Sequence, residues 1–477
     1  MKSCDTLSLS FGLQCDDLYS NEGLAKIDVA FQKALDADLL GRLQAARIDP
    51  ASLDRKAASE LILALSPHLE SFLGELFQIK KDVEELRHAH DELSPLYTVK
   101  RNFVQRKALT SIKEADAQHF HGKQLQADLE TFMGERLTEL AYARHVSRWL
   151  DDAEAHALHL DAAAKYAAWA YFSKPGKAKH KAGVLFKRPH KLDPNHFVPV
   201  ESLTQHNVDR FVFPEHEWRN REGFALTDPG TDLTGALDEA NYCIHCHNQG
   251  KDSCSTGLRE KTGEFKKSVF GVTLNGCPLE EKISEFHSAM VKGMTLSALG
   301  IITIDNPMCA GTGHRICNDC MKSCVFQKQE PVNIPQAETR VLKDVLNLPW
   351  GFEIYSLLTR WNPLNFKRPL PKAGSGFKVL VVGLGPAGYS LSHHLMNDGH
   401  TVFAVDGLKI EPLPEHFSGV NPHGDFVGFR PIRDIHEIYE SLDDRVMAGF
   451  GGVAEYGITV RWDKNFLKII RIGRAHV

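Results

Sequence analysis

The chain has 477 residues, 43% hydrophobic and 25% charged, which is room for about three domains with buried cores. Its 56 basic against 61 acidic residues leave a formal charge of −5, so no general attraction to nucleic acid is expected. No apolar run approaches the roughly twenty residues that a membrane helix needs.

From Met1 to Asp17 there is one lysine and no apolar stretch before the acids begin, so no export signal is expected and the compartment is read as cytoplasmic. Cys4 and Cys15 fall in this stretch, which is expected to fray, and are read as incidental. Residues 24–172 read as helices. Val29, Phe31, Leu35, Leu39, Leu40 and Leu43 recur at three- and four-residue steps. Ser66-Pro67 is expected to open a longer helix with Leu69, Phe72, Leu73, Leu76, Phe77, Val83 and Leu86 on one face, and Ser94-Pro95 to break it. Periodic stretches follow at Leu125–Val146 and at Trp149–Phe172, the second rich in alanine and suited to close packing. The pairs His88/His90 and His119/His121 are not read as metal ligands, because residues two apart point to different faces of a helix. Residues 1–172 are therefore expected to form an all-α bundle that docks on the rest or on a partner.

Lys174 to Lys191 holds seven lysines or arginines and no acid. It reads as a solvated, mobile connector, or else as a patch for an acidic electron-carrier protein or for nucleic acid. Residues 192–235, rich in Pro, Asp, Asn and Gly, are expected to be extended and to complete a linker over 173–235.

Eight of the ten cysteines then crowd between Cys243 and Cys324: Cys243, Cys246, Cys254, Cys277, Cys309, Cys317, Cys320 and Cys324. Disulfides suit short secreted chains. Zinc suits two Cys-x-x-Cys pairs but leaves four thiols over. Cys243-Ile244-His245-Cys246-His247 fits a haem attachment motif and leaves six idle. Iron–sulfur clusters use all eight, either as two four-thiolate cubanes or as one such cubane and a mixed-ligand one, and Cys277-Pro278 is a step common in cluster-binding runs.

Ala337–Leu346 reads as a helix and 347–376 as a Pro-rich connector. Lys378–Val382 reads as a buried parallel strand running into Gly383-Leu384-Gly385-Pro386-Ala387-Gly388, then a helix, then the strand Thr401–Val405 ending at Asp406. Gly383 allows the tight turn, Gly385 lets the backbone approach a pyrophosphate, and Gly388 lets helix pack on strand. The helix N-terminus faces the phosphates and Asp406 accepts from the ribose. Gly449–Ala454 mimics a second such loop, but no strand precedes it.

The segment from about 236 to 471 resembles the glutamate synthase small subunit and dihydropyrimidine dehydrogenase family. The resemblance rests on the Cys-x-x-Cys opening, on Cys277-Pro278 leading into an amphipathic helix (Leu279–Lys292), and on a second helix ending at Asp305-Asn306-Pro307. It rests also on Gly313-His314-Arg315-Ile316-Cys317 with Cys320 and Cys324, on Pro331-Val332-Asn333-Ile334, on the Pro386-Ala387 glycine motif, and on Gly451-Gly452 with Tyr456-Gly457-Ile458. It leaves the N-terminal half uncovered and implies, after the all-α N-terminal region read above, a multidomain protein with an all-α double-cluster ferredoxin domain (236–346) and a truncated α/β Rossmann-type FAD-binding domain (377–471). Residues 472–477 read as a tail foreign to the fold, and the chain as a fragment of a longer protein.

The resemblance further implies two 4Fe–4S clusters and FAD, with NAD(P)H as diffusible reductant and an electron-accepting partner subunit or protein. One cluster would take Cys243, Cys246, Cys254 and Cys324. The other would take Cys277, Cys317, Cys320 and a fourth ligand, which is open between Glu338 (with Gln336 nearby) and Cys309, a thiol beyond the family's pattern. The seven residues before Cys254 and the twenty-two before Cys277 also exceed the family's usual gaps. Gly452 falls beside the flavin in this scheme. The contrasting reading is a zinc-stapled helical adaptor with a non-catalytic nucleotide fold.

Overall fold

The computed structural model describes residues 7–439 apart from 199, 216–217, 219–229, 311–316, 384, 406–414, 419–420, 422, 424, 426 and 429. Helices dominate, with two small two-stranded sheets among the described residues. No described helix is long and apolar enough to cross a membrane.

The first segment packs. Leu7, Leu13, Cys15 and Leu18 are buried, Ser10 N donates to Leu76 O at 3.0 Å, and Phe11 stacks on Phe72 with centroids 5.0 Å apart. The fraying expected here fails because these apolar side chains find a helix to lie on; Cys4 is outside the described residues. Helix α1 (Asn21–Lys33) is capped by Ser20, whose hydroxyl accepts from Gly23 N at 3.1 Å. A Cβ at Gly23 would lie 2.2 Å from Asp17 O, so glycine is what lets the two turns touch. Asp36 caps α2 (Ala37–Ile48).

Two proline readings are corrected. Helix α3 (Arg55–Leu76) starts at the Asp54 cap, which accepts from Ala57 N at 2.8 Å, and runs straight through Pro67. Helix α4 (Lys80–Val99) runs through Pro95 and continues as a π-helical stretch, Lys100–Ala108. Pro67 stands on the exposed side of its helix, where solvent reaches the carbonyl left without an N–H. Helices α5 (Gly122–Met133), α6 (Glu139–Asp151) and α7 (Ala157–Phe172) follow. The alanines of α7 pack as expected, with Ala163, Ala167, Ala168 and Ala170 buried.

The basic stretch is no free connector. It forms α8 (Lys174–Lys179), then buries Val184, Leu185 and Phe186. The Glu139 carboxylate accepts from Val184 N and Leu185 N, both at 2.8 Å, and lies 3.2 Å from His180 Nδ1. The extended region beyond contains an exposed hairpin, β1 (Glu201–Gln205) and β2 (Val208–Val212). It turns on His206 and Asn207, both at positive φ.

The centre of the fold is a pair of helices buried on every side. Helix α9 (Leu233–Tyr242) leads to the cysteines; then come α10 (Ile283–Val291) and α11 (Thr295–Asp305). The helix expected from Leu279 begins four residues later and is not amphipathic, since Ile283 through Met290 are all buried. Helix α12 (Ile334–Leu346) and a helix missed within the Pro-rich connector, α13 (Gly351–Leu358), close over the pair. One hydrophobic core joins Leu7 to Ile435.

Polar pins cross that core. Asp28 accepts from Arg47 Nη1 and Nη2 (2.8 and 2.9 Å) and from Trp361 Nε1 (2.9 Å), with Trp361 fully buried. Glu353 accepts from Tyr19 and, at 2.9 Å, from Ile432 N. Glu285 on α10 meets Ser59 on α3 at 2.5 Å, while Ser59 donates to Arg55 O at 2.8 Å. One hydroxyl hydrogen serves both contacts only if Glu285 carries a proton of its own, and burial pushes this carboxyl up to about 7.

Downstream, β3 (Lys378–Val382), α14 (Pro386–Asn397) and β4 (Thr401–Val405) form a βαβ unit with parallel register from Lys378↔Thr401 to Val382↔Val405. Strand β3 was expected to be buried. Among the described residues only Val381 is, while Leu380 and Val382 stay exposed, because a two-stranded sheet has α14 on one face alone.

Two outcomes test this packing. Asp28→Ala should destabilise the chain by about 3–5 kcal/mol in urea unfolding, since it strands a buried guanidinium. Lys26→Ala, at the exposed end of an ion pair with Asp17, should cost under about 1 kcal/mol. For Glu285 the folded value lies above the ordinary 4.5, so the stability it contributes is full below pH 4.5 and lost as pH rises through about 7. Glu285→Gln should therefore remove up to about 3 kcal/mol of the fall in unfolding free energy between pH 4.5 and 8.

Candidate functional site

The eight thiols fall into two neighbourhoods at the ends of the buried helices. Cys243 caps the C-terminus of α9, Cys246 opens a 3-10 turn, Cys254 sits in a single helical turn (Ser253–Thr256), and Cys324 follows another (Asp319–Lys322). These four, from three separated stretches, line one small cavity walled by Ile244, Ile283, Phe326, Val332 and Ile334. About 20 Å³ stays open between them, room for one water. A larger group fits only with the thiols swung back.

Backbone amides face the sulfurs. His245 N donates to Cys243 Sγ at 3.4 Å, with His245 held at φ 52° to aim it. The amides of Phe326, Val332 and Val325 serve Cys324. Such donors favour the thiolate, yet burial outweighs them here and pushes Cys243 up to about 12 and Cys246 up to about 11. Cys254 Sγ donates to Asp252 at 2.8 Å, and Asp252 accepts from Ser284, whose Oγ lies 2.7 Å from His247 Nδ1.

The second neighbourhood joins Cys277, Cys317 and Cys320. Each thiol is raised mainly by burial, and the charge of Cys317 bears on Cys277 as that of Cys277 bears on Cys320. Amides of Glu281 and Leu279 serve the Cys277 sulfur. The two neighbourhoods touch: Cys277 N donates to Cys254 O at 2.8 Å. Beside the second lie Cys309, Glu338 and Glu281, all buried. Cys309 Sγ is 3.7 Å from the Tyr355 hydroxyl, and Glu338 accepts from Asn306 Nδ2 at 2.9 Å. Burial and the mutual charge of Glu281 hold the Glu338 carboxyl well above its ordinary range. Glu281 was not anticipated; the only sign of it in the sequence is its place four residues past Cys277. Gln336, two residues before Glu338 on α12, lines a separate open cleft, its Oε1 buried without a hydrogen bond.

Among the described residues no three His, Cys, Asp or Glu side chains converge as they would on a single metal ion. His90 is structural, its Nδ1 lying 3.0 Å from Met290 O. At the glycine loop, Gly383 takes φ 96° and donates to Val405 O at 2.7 Å, and Gly385 precedes the first turn of α14. A Cβ at Gly388 would lie 1.8 Å from Gly383 O, so α14 seats on the loop only with glycine there. Pro386 and Ala387 occupy the first turn. Asp406, Gly452 and the stretch 451–458 lie outside the described residues.

Residues 9–78 match the family "RP005 N-terminal alpha-helical domain". RP005 of Rickettsia prowazekii, an uncharacterized protein, is 30% identical over 304 residues, 59% of this chain and 97% of its own. Uncharacterized protein RP006 of the same organism is 56% identical over 165 residues, 35% of this chain but only 22% of RP006. The glutamate synthase [NADPH] small chain of Mycobacterium tuberculosis is 31% identical over 148 residues, 30% of this chain and 27% of that one. The chain thus spans about a quarter or less of the length of two of these relatives. Matched across nearly the whole of RP005 and through its N-terminal helices, the chain belongs to the RP005 family.

Proposed function

We propose that this chain is the cluster- and flavin-binding part of an oxidoreductase akin to the glutamate synthase small chain. In that role it would take reducing equivalents from NAD(P)H and hand them on singly. The observation that carries the reading is the gathering of Cys243, Cys246, Cys254 and Cys324 around one buried, apolar-walled cavity. Four soft sulfur donors line one cavity and four more free thiols of the Cys243–Cys324 stretch lie beyond it, which suits iron–sulfur groups better than one zinc.

Bound there with FAD, two 4Fe–4S clusters would convert the two-electron chemistry of a nicotinamide into single electrons. The chain's part is support. Ile283, Val332 and Ile334 keep water from the first site, and amides of His245, Val325 and Phe326 donate to sulfur, which stabilises the thiolate that must form. Cys277, Cys317 and Cys320 would hold the second group, with Cys309 as fourth ligand over Glu338, since a thiolate binds iron more strongly than a carboxylate. At Gly383–Gly388 the backbone and the N-terminus of α14 would take the pyrophosphate of FAD, and Asp406 its ribose. Thiolate-held iron fits the reducing cytoplasm.

Anaerobically purified protein should hold about eight iron and eight sulfide per chain. Stoichiometric zinc without acid-labile sulfide would overturn the reading in favour of a zinc-stapled adaptor. Cys246→Ser should remove about half the iron and lower the thermal midpoint, because ligation and folding are coupled. For the open ligand, Cys309→Ser should lose or convert the second cluster while Glu338→Ala keeps it. The reverse result would make Cys309 a buried spare.

A further inference from the structure

An open cleft of about 1290 Å³ lies against the first thiol site, and its walls are strongly basic. One wall is the π-helical stretch Lys100–Ala108, which presents Arg101 and Arg106. The other is the basic stretch that follows α8, which presents Lys181, Lys187 and Arg188, with Lys177 from α8 itself. Where these walls meet the thiol site, the cleft is lined by Ile244 and Phe326, which also line the thiol cavity. Ile244 stands between Cys243 and Cys246 with its side chain 46% exposed, and Phe326 stacks on Tyr242 at 4.4 Å.

The charge is available. Of the carboxylates on the walls, Glu139 is held by backbone amides and His180, Asp238 by Lys100 at 2.6 Å, and Glu239 by Asn333 N at 2.7 Å. Asp232 caps α9, and Glu330 accepts from His190 N. By contrast Arg106, Lys177, Lys181, Lys187 and Arg188 are exposed and form no ion pair with a described carboxylate. Glu139, Asp238 and Glu239 are half-buried, Asp232 and Glu330 are exposed, and the five exposed bases outnumber these two acids.

We propose that this cleft is the docking surface for an acidic electron-carrier protein, seated on Ile244 and steered by the flanking arginines and lysines. The inference rests on the electron-transfer reading above and adds its partner and its place. Three features favour a protein over a small anion. The cleft exceeds the usual 300–1,000 Å³ of a ligand pocket. Its cations are spread over two walls rather than gathered on one point. An exposed apolar tip flanked by basic walls is the pattern of small, transient redox interfaces, in which charge sets encounter rate and orientation. The tip is also the loop that carries two of the four thiols, so a partner seated there touches the ligand loop itself. The exchange is one electron, from the reduced centre behind the loop to an oxidised carrier, with no bond made or broken. NAD(P)H is the ultimate reductant.

The test uses an acidic flavodoxin, fluorescently labelled, as the probe on the anaerobic full chain, with iron and sulfide assayed separately. Affinity should fall about tenfold between 50 and 300 mM salt. Lys187→Glu combined with Arg188→Glu should weaken binding about tenfold or more, as should Arg106→Glu, each with iron content unchanged. Reversals remote from the cleft, Lys33→Glu and Lys123→Glu, should leave affinity as it was. Iron-loaded protein whose affinity ignores both salt and the cleft reversals would overturn the docking while the cluster reading stands. Inorganic pyrophosphate saturating the cleft at micromolar concentration would overturn it in favour of a small-anion site, and a single-stranded RNA that outcompetes the flavodoxin would do so in favour of nucleic acid. Protein without iron or sulfide would remove the reading beneath the proposal and the proposal with it, an outcome the separate iron assay identifies.

Discussion

Everything in this fold follows from two helices that cannot face water. Ile283–Met290 and Thr295–Thr303 are buried on every side, and a helix that turns no face to water is stable only when enclosed. Helices Leu233–Tyr242, Ile334–Leu346 and Gly351–Leu358 cover part of that surface, and the N-terminal helix Arg55–Leu76 covers more of it. The enclosure is intimate: a Cβ at Gly300 would come within 2.9 Å of Leu69. The N-terminal helices that match the RP005 domain are thus a wall of the same core that carries the cysteines at its ends. Loosening that wall exposes apolar surface worth about 25 cal/mol per Å², and with it the supports of both thiol sites.

How much of this was legible in the sequence depended on whether the signal was local. The N-terminal helices were readable because three- and four-residue spacing reports a face directly. The βαβ unit was readable because glycine chemistry at 383 and 388 is a backbone requirement that context does not alter. Pro67 and Pro95 misled because a proline tells only that one N–H is missing. Whether a helix survives the loss depends on packing along its length, here Leu61, Leu65, Leu69 and Leu73. The helix Gly351–Leu358 was hidden by its flanking prolines and by an apolar face with no polar counterpart, which carries no periodicity.

At the site, the thiols were legible because cysteine is rare and eight in a sixth of the chain stand out. The basic stretch after α8 was legible as charge but not as structure. What orders it is one distant carboxylate, Glu139, satisfying two of its amides and a histidine. No local pattern records such a long-range pin.

The second thiol neighbourhood poses an electrostatic problem that bears on what it holds. Burial raises Glu281, Glu338 and Cys309 alike; Asp305 adds to the rise at Glu281, Glu281 to that at Glu338, and Cys309 and Cys320 feel both Glu281 and Glu338. Asn306, which donates to Glu338, relieves the charge with one neutral hydrogen bond. Lys282 turns instead to Asp305 at 2.9 Å. Acids buried together stay protonated or meet a cation, because two like charges cannot share a dry site. Protonated, they are a costly way to fill space that leucine would fill at no electrostatic cost. Held neutral by burial, Glu281 and Glu338 are joined through Asn306 by hydrogen bonds and not by charge.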